Sequence, residues 1–156
     1  MELNEFLIKE DIKKKYILDT SIIIKWYSTD NENYLDCARL FYDQVKTNQA
    51  IIVSLDIIAY ELLNFFIFKF NLPEDKIKKV LSEIYDIIFL ISINKAILEE
   101  AYKVARIIKN SIYDSSFVAL SLKLNFPLFT ADKKLYSSAK SHGYNIFYVA
   151  DYQQYF

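Results

Sequence analysis

Four carboxylates in this chain stand against apolar backgrounds. Asp19 follows Tyr16, Ile17 and Leu18 in YILDTSIIIKW. Glu61 lies inside IIAYELLNFF, Asp114 opens DSSFVALSL, and Asp132 follows FPLFTA. An acid in such a setting is costly unless it is paired, protonated or bound to a cation. No Arg or His punctuates these segments, so pairing has few partners. If the four converged, each close pair would repel by roughly 4 kcal/mol at about 4 Å and an effective dielectric near 20. A divalent cation would remove that repulsion. An all-oxygen carboxylate set selects hard ions, so Mg²⁺ or Mn²⁺, one or two of them. Such an ion ionises a water, clamps a phosphate and stabilises a leaving oxygen. Taken singly, each acid also has a plain reading. Asp19 suits a strand end or helix cap, and Glu61 suits a buried acid with a partner or one facing water. Spacing alone does not bring the four together.

The elements that must position them follow from periodicity. A first strand is expected at 16–19, and a helix near 33–47 with Tyr34, Ala38, Phe41 and Val45 on one side. Residues 50–53 read as a second strand, with Ser54 as N-cap of a helix from 55 to about 69. Pro73 marks a helix start, with Glu74 and Asp75 favouring its N-terminal dipole. Residues 87–91 suit either a strand or the end of that helix. Asn94 caps the next helix, lined by Ile97, Ala101, Val104 and Ile108. A helix over 113–124, a strand over 127–130, a helix over 132–141 and a strand over 145–149 complete the pattern. Short apolar strands alternating with amphipathic helices predict an α/β fold, a central mostly parallel β-sheet flanked by α-helices. Ligands in such sheets bind beyond the carboxyl ends of the strands. Asp19 stands at one such end and Asp132 just past another.

The totals limit the function classes. With 156 residues the chain suits one domain, expected over 15–156 after an amphipathic lead-in over 1–14. The formal net charge is −1, so no global basic field draws in nucleic acid. Any such contact must be local or made through bound cations. One Cys, Cys37, excludes an internal disulfide, and one His with one Cys cannot build a usual structural zinc site. The N-terminus lacks a signal-peptide pattern, and no apolar run approaches the roughly 20 residues of a membrane span. These features predict a cytoplasmic protein with no membrane partner.

Three stretches resemble the motif regions of PIN-domain nucleases: LDTSIIIKW, the isolated YELLN, and YDSSFVALSLKLNFPLFTADKKL. The resemblance is closest to the toxins of VapBC-type toxin–antitoxin pairs and covers about 15–150. The third block is the most specific, with an Asp at a helix start, an apolar helix, a Pro-led strand, then Thr-x-Asp. It implies a PIN-like fold and a metal-dependent endoribonuclease that hydrolyses RNA to 5′-phosphate and 3′-hydroxyl ends. It places Asp19, Glu61, Asp114 and Asp132 in the family's acidic quartet, as metal ligands and catalytic groups. Ser21 and Thr130 fall at supporting hydroxyl positions, orienting carboxylates or water. Thr20 is read as a strand-end or cap hydroxyl. Where the family commonly has Gly before the Pro-led strand, this chain has Asn125, the usual second choice for a left-handed cap. Lys25, Lys109, Lys133 and Lys134 lie near motif ends and could meet RNA phosphates, although each also suits a solvated surface.

The resemblance further implies a cognate antitoxin and a homodimer. Phe65, Phe66, Phe68 and Phe70 make one helix end apolar nearly all round, which suits a subunit interface as well as a core. His142, beside Gly143 at a helix end, reads as a cap rather than a catalyst. Rival readings are a processing nuclease without an antitoxin, and an inert PIN-like module that only binds RNA or protein. A phosphatase of the haloacid-dehalogenase type would want a second Asp two positions after Asp19, where Ser21 stands.

Overall fold

The computed structural model describes residues 13–28 and 33–152. Apart from its last two residues, the expected lead-in lies outside the described residues. Five strands form one parallel sheet in the order β3-β2-β1-β4-β5. They are β1 (Lys14–Leu18), β2 (Ala50–Leu55), β3 (Ile88–Ile91), β4 (Leu128–Thr130) and β5 (Ile146–Tyr148). The helices are α1 (Thr20–Tyr27), α2 (Leu35–Lys46), α3 (Ile57–Phe65), α4 (Glu74–Ile87), α5 (Lys95–Ile108), α6 (Ile112–Leu124) and α7 (Lys133–Ser141).

β1 is the central strand. Ile17 registers with Val53 on one side and with Leu128 on the other. A strand flanked on both sides and both faces must be apolar throughout, and Tyr16, Ile17 and Leu18 are fully buried. After β1 the chain builds outward through β2 and β3. It then returns past β1 to lay down β4 and β5. The reversal leaves a crevice between the carboxyl ends of β1 and β4, the usual ligand position in such sheets.

The helices follow their apolar stripes. On α5, Ile97, Ala101, Val104 and Ile108 are all buried, and the Asn94 side chain accepts from the Ile97 amide at 3.0 Å. Helix α6 packs against α5 and against β1, β2 and β4, so the run from Ser115 to Ser121 is buried. The turn after α6 closes on Asn125 in the left-handed conformation (φ 56°, ψ 37°), where Asn is well tolerated. On the other side of the sheet, the Tyr27 and Tyr42 hydroxyls both donate to Glu83, which ties α1 and α2 to α4.

Two local expectations change, and one open reading is resolved. Ser54 does not cap a helix. It lies in β2, fully buried, and donates to the Leu18 carbonyl at 2.6 Å. The reason is tertiary: β2 extends to Leu55 because β3 pairs with it there, Ser54 beside Leu90 and Leu55 beside Ile91. The helix expected to reach 69 ends at Phe65 and continues as a π-helical turn over Phe66–Phe70. That turn buries Phe66, while Ile67 and Phe68 stand out at 61% and 82% exposure. Residues 87–91 satisfy both readings, since Ile87 closes α4 and Ile88 opens β3.

Candidate active site

Each acidic side chain is delivered by a different element. Asp19 is the N-cap residue of α1, immediately after β1. Glu61 lies on α3, one turn into the crossover that follows β2. Asp114 stands in the first turn of α6, and Asp132 is the N-cap of α7 just past β4. The sheet therefore gathers residues separated by more than a hundred positions at one edge.

Asp19 is buried, with both oxygens held. Ser21 Oγ donates to Oδ1 at 2.5 Å and Thr130 Oγ1 donates to Oδ2 at 2.5 Å. These hydroxyls are themselves fixed, since Ser21 Oγ accepts from the Ala131 amide at 2.8 Å and Thr130 Oγ1 from the Asp132 amide at 3.0 Å. The two hydroxyls named from the sequence thus clamp one carboxylate between β1 and β4. Burial pushes the Asp19 carboxyl up to about 7. The hydroxyl bonds oppose that rise, and the charges of Asp114 and Asp132 add to it.

Glu61 takes its hydrogen bond from the Thr20 hydroxyl. The sequence favours Ser21 over Thr20 as the supporting hydroxyl. The structure divides the pair, with Ser21 on Asp19 and Thr20 on Glu61. Both sit in the first turn of α1, which packs against α3. Burial raises the Glu61 carboxyl, Thr20 opposes that, and the Asp114 charge reinforces it.

Asp114 is held by Ser111, a residue not singled out from the sequence. Ser111 Oγ accepts from the Asp114 amide at 3.1 Å and donates to Asp114 Oδ2 at 2.9 Å. This is a helix-start capping arrangement, and its Ser-x-x-Asp spacing is visible in the sequence. The Asp114 carboxyl is raised by burial first, lowered by Ser111, raised by Asp132 and lowered by Lys134. Asp132 Oδ1 accepts from the Lys134 and Leu135 amides at 2.7 and 3.0 Å, which fixes it at the N-terminus of α7.

The quartet is therefore in mutual charge contact: Asp19 with Asp114 and Asp132, Glu61 with Asp114, and Asp114 with Asp132. Of the four lysines considered, Lys134 acts on the cluster, through Asp114. Lys133 is exposed at the start of α7, Lys109 is exposed in the left-handed cap of α5, and Lys25 lies in the last turn of α1. His142 stands at the C-cap of α7 with Nδ1 2.7 Å from the Ser138 carbonyl oxygen, a capping position.

The donors are all oxygen, and the carboxyls of Asp19, Glu61 and Asp114 are raised by burial first and neighbouring charge second, chemistry that suits a hard divalent cation. Among the described residues, no three His, Cys, Asp or Glu side chains are drawn tightly enough to enclose an ion. The carboxylates stand in charge contact and not in a closed ligand shell.

A parallel sheet with carboxylates gathered near its topological switch point defines an α/β protein with an acidic cluster at the carboxyl ends of β1 and β4. The PIN domain family model matches residues 16–141, and the chain belongs to that family. PIN domains are generally nucleases, and those nucleases generally use divalent metal ions. Among solved structures the chain is similar to VapC20 of Mycobacterium tuberculosis, described as a sarcin–ricin loop cleaving toxin, with TM-score 0.62 and 10% identity over 83% of this chain and 95% of that one. It is similar to VapBC2 of Rickettsia felis, solved bound to a DNA fragment from their promoter, with TM-score 0.60 and 13% identity over 86% and 96%. It is also similar to FitAcB of Neisseria gonorrhoeae, with TM-score 0.60 and 14% identity over 86% and 98%. These likenesses are of fold. No curated protein matches significantly by sequence.

Proposed function

We propose that this protein is a Mg²⁺- or Mn²⁺-dependent endoribonuclease, the toxin of a toxin–antitoxin pair. The observation that carries the reading is the delivery of Asp19, Glu61, Asp114 and Asp132 by four elements around the β1/β4 crevice, where burial first and neighbouring charge second raise the carboxyls of Asp19, Glu61 and Asp114. An acidic cleft repels a polyanion unless cations bridge the two. When bound, a divalent ion supplies charge neutralisation, a more acidic water and a clamp on the phosphate.

The chain's own residues do the rest. Ser21 and Thr130 hold both Asp19 oxygens in one orientation, so the deepest carboxylate needs no reordering when an ion arrives. Thr20 does the same for Glu61 and Ser111 for Asp114. Lys134, already felt by Asp114, is placed to meet a backbone phosphate entering the cleft. Hydrolysis adds water across the P–O3′ bond and leaves a 5′-phosphate and a 3′-hydroxyl.

RNA as substrate is supported by the fold likeness to a sarcin–ricin loop cleaving toxin, and an antitoxin partner by the likeness to VapBC2. A homodimer in the cytoplasm belongs to the same proposal. Exposed Ile67 and Phe68 offer apolar surface for such an assembly. No described helix is long and apolar enough to cross a membrane.

The deciding experiment incubates mixed-sequence single-stranded RNA with the protein and Mg²⁺ or Mn²⁺. Cleavage is expected, and both EDTA and Asp114→Asn should abolish it. Cleavage indifferent to both would overturn the reading.

A further inference from the structure

Beside the quartet lies a cleft of about 490 Å³, within the size range of small-ligand sites. Its wall includes Tyr60, Glu61 and Asn64 of α3, Tyr113 of α6, and the apolar Ile57 and Ile93. Glu61 belongs to both the cleft and the acidic cluster. Each tyrosine immediately precedes one of two quartet members in charge contact, Tyr60 before Glu61 and Tyr113 before Asp114. Both rings are largely exposed, at 72% and 57%.

Large aromatic side chains left in water at the mouth of a cleft call for an occupant with an aromatic or apolar face. The carboxylates of Asp56 and Glu61 on the same wall disfavour a phosphate there. A neutral planar ring meets neither objection. It stacks on tyrosine, rests on Ile57 and Ile93, and finds in Asn64 an amide that both donates and accepts at a base edge. We infer that the cleft formed by Tyr60, Asn64 and Tyr113 is a subsite for an unpaired nucleobase flanking the phosphate held at the acidic cluster. The inference rests on the ribonuclease reading above, and it specifies the substrate as single-stranded at this position. In a duplex the bases are stacked inward and their faces are out of reach, so paired RNA cannot use the cleft.

The test separates this subsite from the chemistry. A short mixed-sequence single-stranded RNA is titrated with Mg²⁺ present onto Asp114→Asn protein, the parent background for every variant in this titration, so that cations still bridge the acidic cluster and binding is read without cleavage. Loss of one base–aromatic stack is expected to weaken affinity roughly five- to a hundred-and-fortyfold. Tyr60→Ala and Tyr113→Ala should each fall in that range, and Tyr60→Phe and Tyr113→Phe should retain affinity. The same RNA as a duplex should bind the parent and the Ala variants alike. With Asp114 restored and Mg²⁺ or Mn²⁺ present, the Ala variants should raise KM for RNA far more than they lower kcat. Thermal unfolding of each variant checks that the fold is kept. Equal affinity of folded Ala variants and their parent would overturn the subsite while leaving metal-dependent cleavage standing. So would variants that lose only self-association or only binding of a co-expressed antitoxin, since the cleft would then be a protein interface. If cleavage itself is indifferent to EDTA and to Asp114→Asn, the failure lies with the ribonuclease reading.

Discussion

Thr130 holds Asp19 from the neighbouring strand: its hydroxyl donates to Asp19 Oδ2 at 2.5 Å while accepting from the Asp132 amide at 3.0 Å. One buried hydroxyl thus links the Asp19 carboxylate to the backbone of Asp132. Thr130→Val keeps the shape and removes both bonds. It leaves a buried acceptor and an amide unsatisfied, each costing about 1–3 kcal/mol before relaxation. We expect lower thermal stability and a loss of RNA cleavage of at least tenfold. Thr130→Ser, which keeps the hydroxyl, should recover most of both. A fully active Thr130→Val enzyme would show that Asp19 needs no such clamp.

Asp19 also governs how the metal-free protein responds to pH. Its carboxyl is raised from an ordinary 3.8 to about 7, chiefly by burial. The folded state therefore binds a proton more tightly than the unfolded chain. The resulting stability is fully present below about pH 4, and it is lost as pH rises to about 7. Glu61 and Asp114 are shifted in the same direction. In EDTA, stability contributed by these groups should fall between pH 4 and 7 and then level off. Urea midpoints across that range read the effect, and a midpoint that climbs steadily from pH 4 to 7 would contradict it.

Asp19→Asn follows from the same balance. The substitution removes a buried charge and keeps the shape. One of the Ser21 and Thr130 hydroxyls can turn to accept from the amide nitrogen while the other donates to the amide oxygen. In EDTA at neutral pH this variant should be more stable than wild type by roughly 1–3 kcal/mol, since a tenfold difference in proton affinity between folded and unfolded chain is worth about 1.36 kcal/mol. It should also be inactive on RNA. A variant both inactive and less stable would mean that Asp19 is structural first.

Thr20→Val tests the hydroxyl that the sequence ranks below Ser21. It removes the donor to Glu61 and leaves the Ser21–Asp19–Thr130 clamp in place. Cleavage should drop several-fold, with a smaller stability loss than Thr130→Val because Glu61 is less buried than Asp19. Kinetics of the two valine variants side by side rank the two holding bonds. Equal loss in both would show that burial does not set the order.

At the end of α6, Asn125 occupies the left-handed region. Asn125→Gly should be neutral or slightly stabilising, and Asn125→Ala should cost about 1 kcal/mol. Thermal denaturation distinguishes them, and equal melting temperatures would rule out backbone strain at this turn.

What the sequence reveals depends on how local the cause is. The α5 stripe, the Asn94 cap and the Asn125 turn are settled by residues within a few positions, and all three are readable. The Ser111 bond to Asp114 is equally local and spelled out by spacing, yet it draws no notice beside the longer motifs. Ser54 misleads because its partner is Leu18, thirty-six positions away, and because β3 extends β2 beyond its apolar run. The division of labour between Thr20 and Ser21 depends on how α1 meets α3, which no local pattern encodes. That the four acids approach one another follows from the strand order. Sequence supplies the candidates and tertiary topology supplies the meeting.

The strand order has a consequence for the protein's own synthesis. β1 is made long before β4, its partner at the crevice. Until residues 130–132 are outside, Asp19 lacks the Thr130 hydroxyl and the Asp132 charge beside it. A nascent fragment therefore carries no assembled cleft, however long it lingers on the message. Any activity of the cleft begins only once β4 and the start of α7 have joined the sheet, so a chain stalled before them carries no working site.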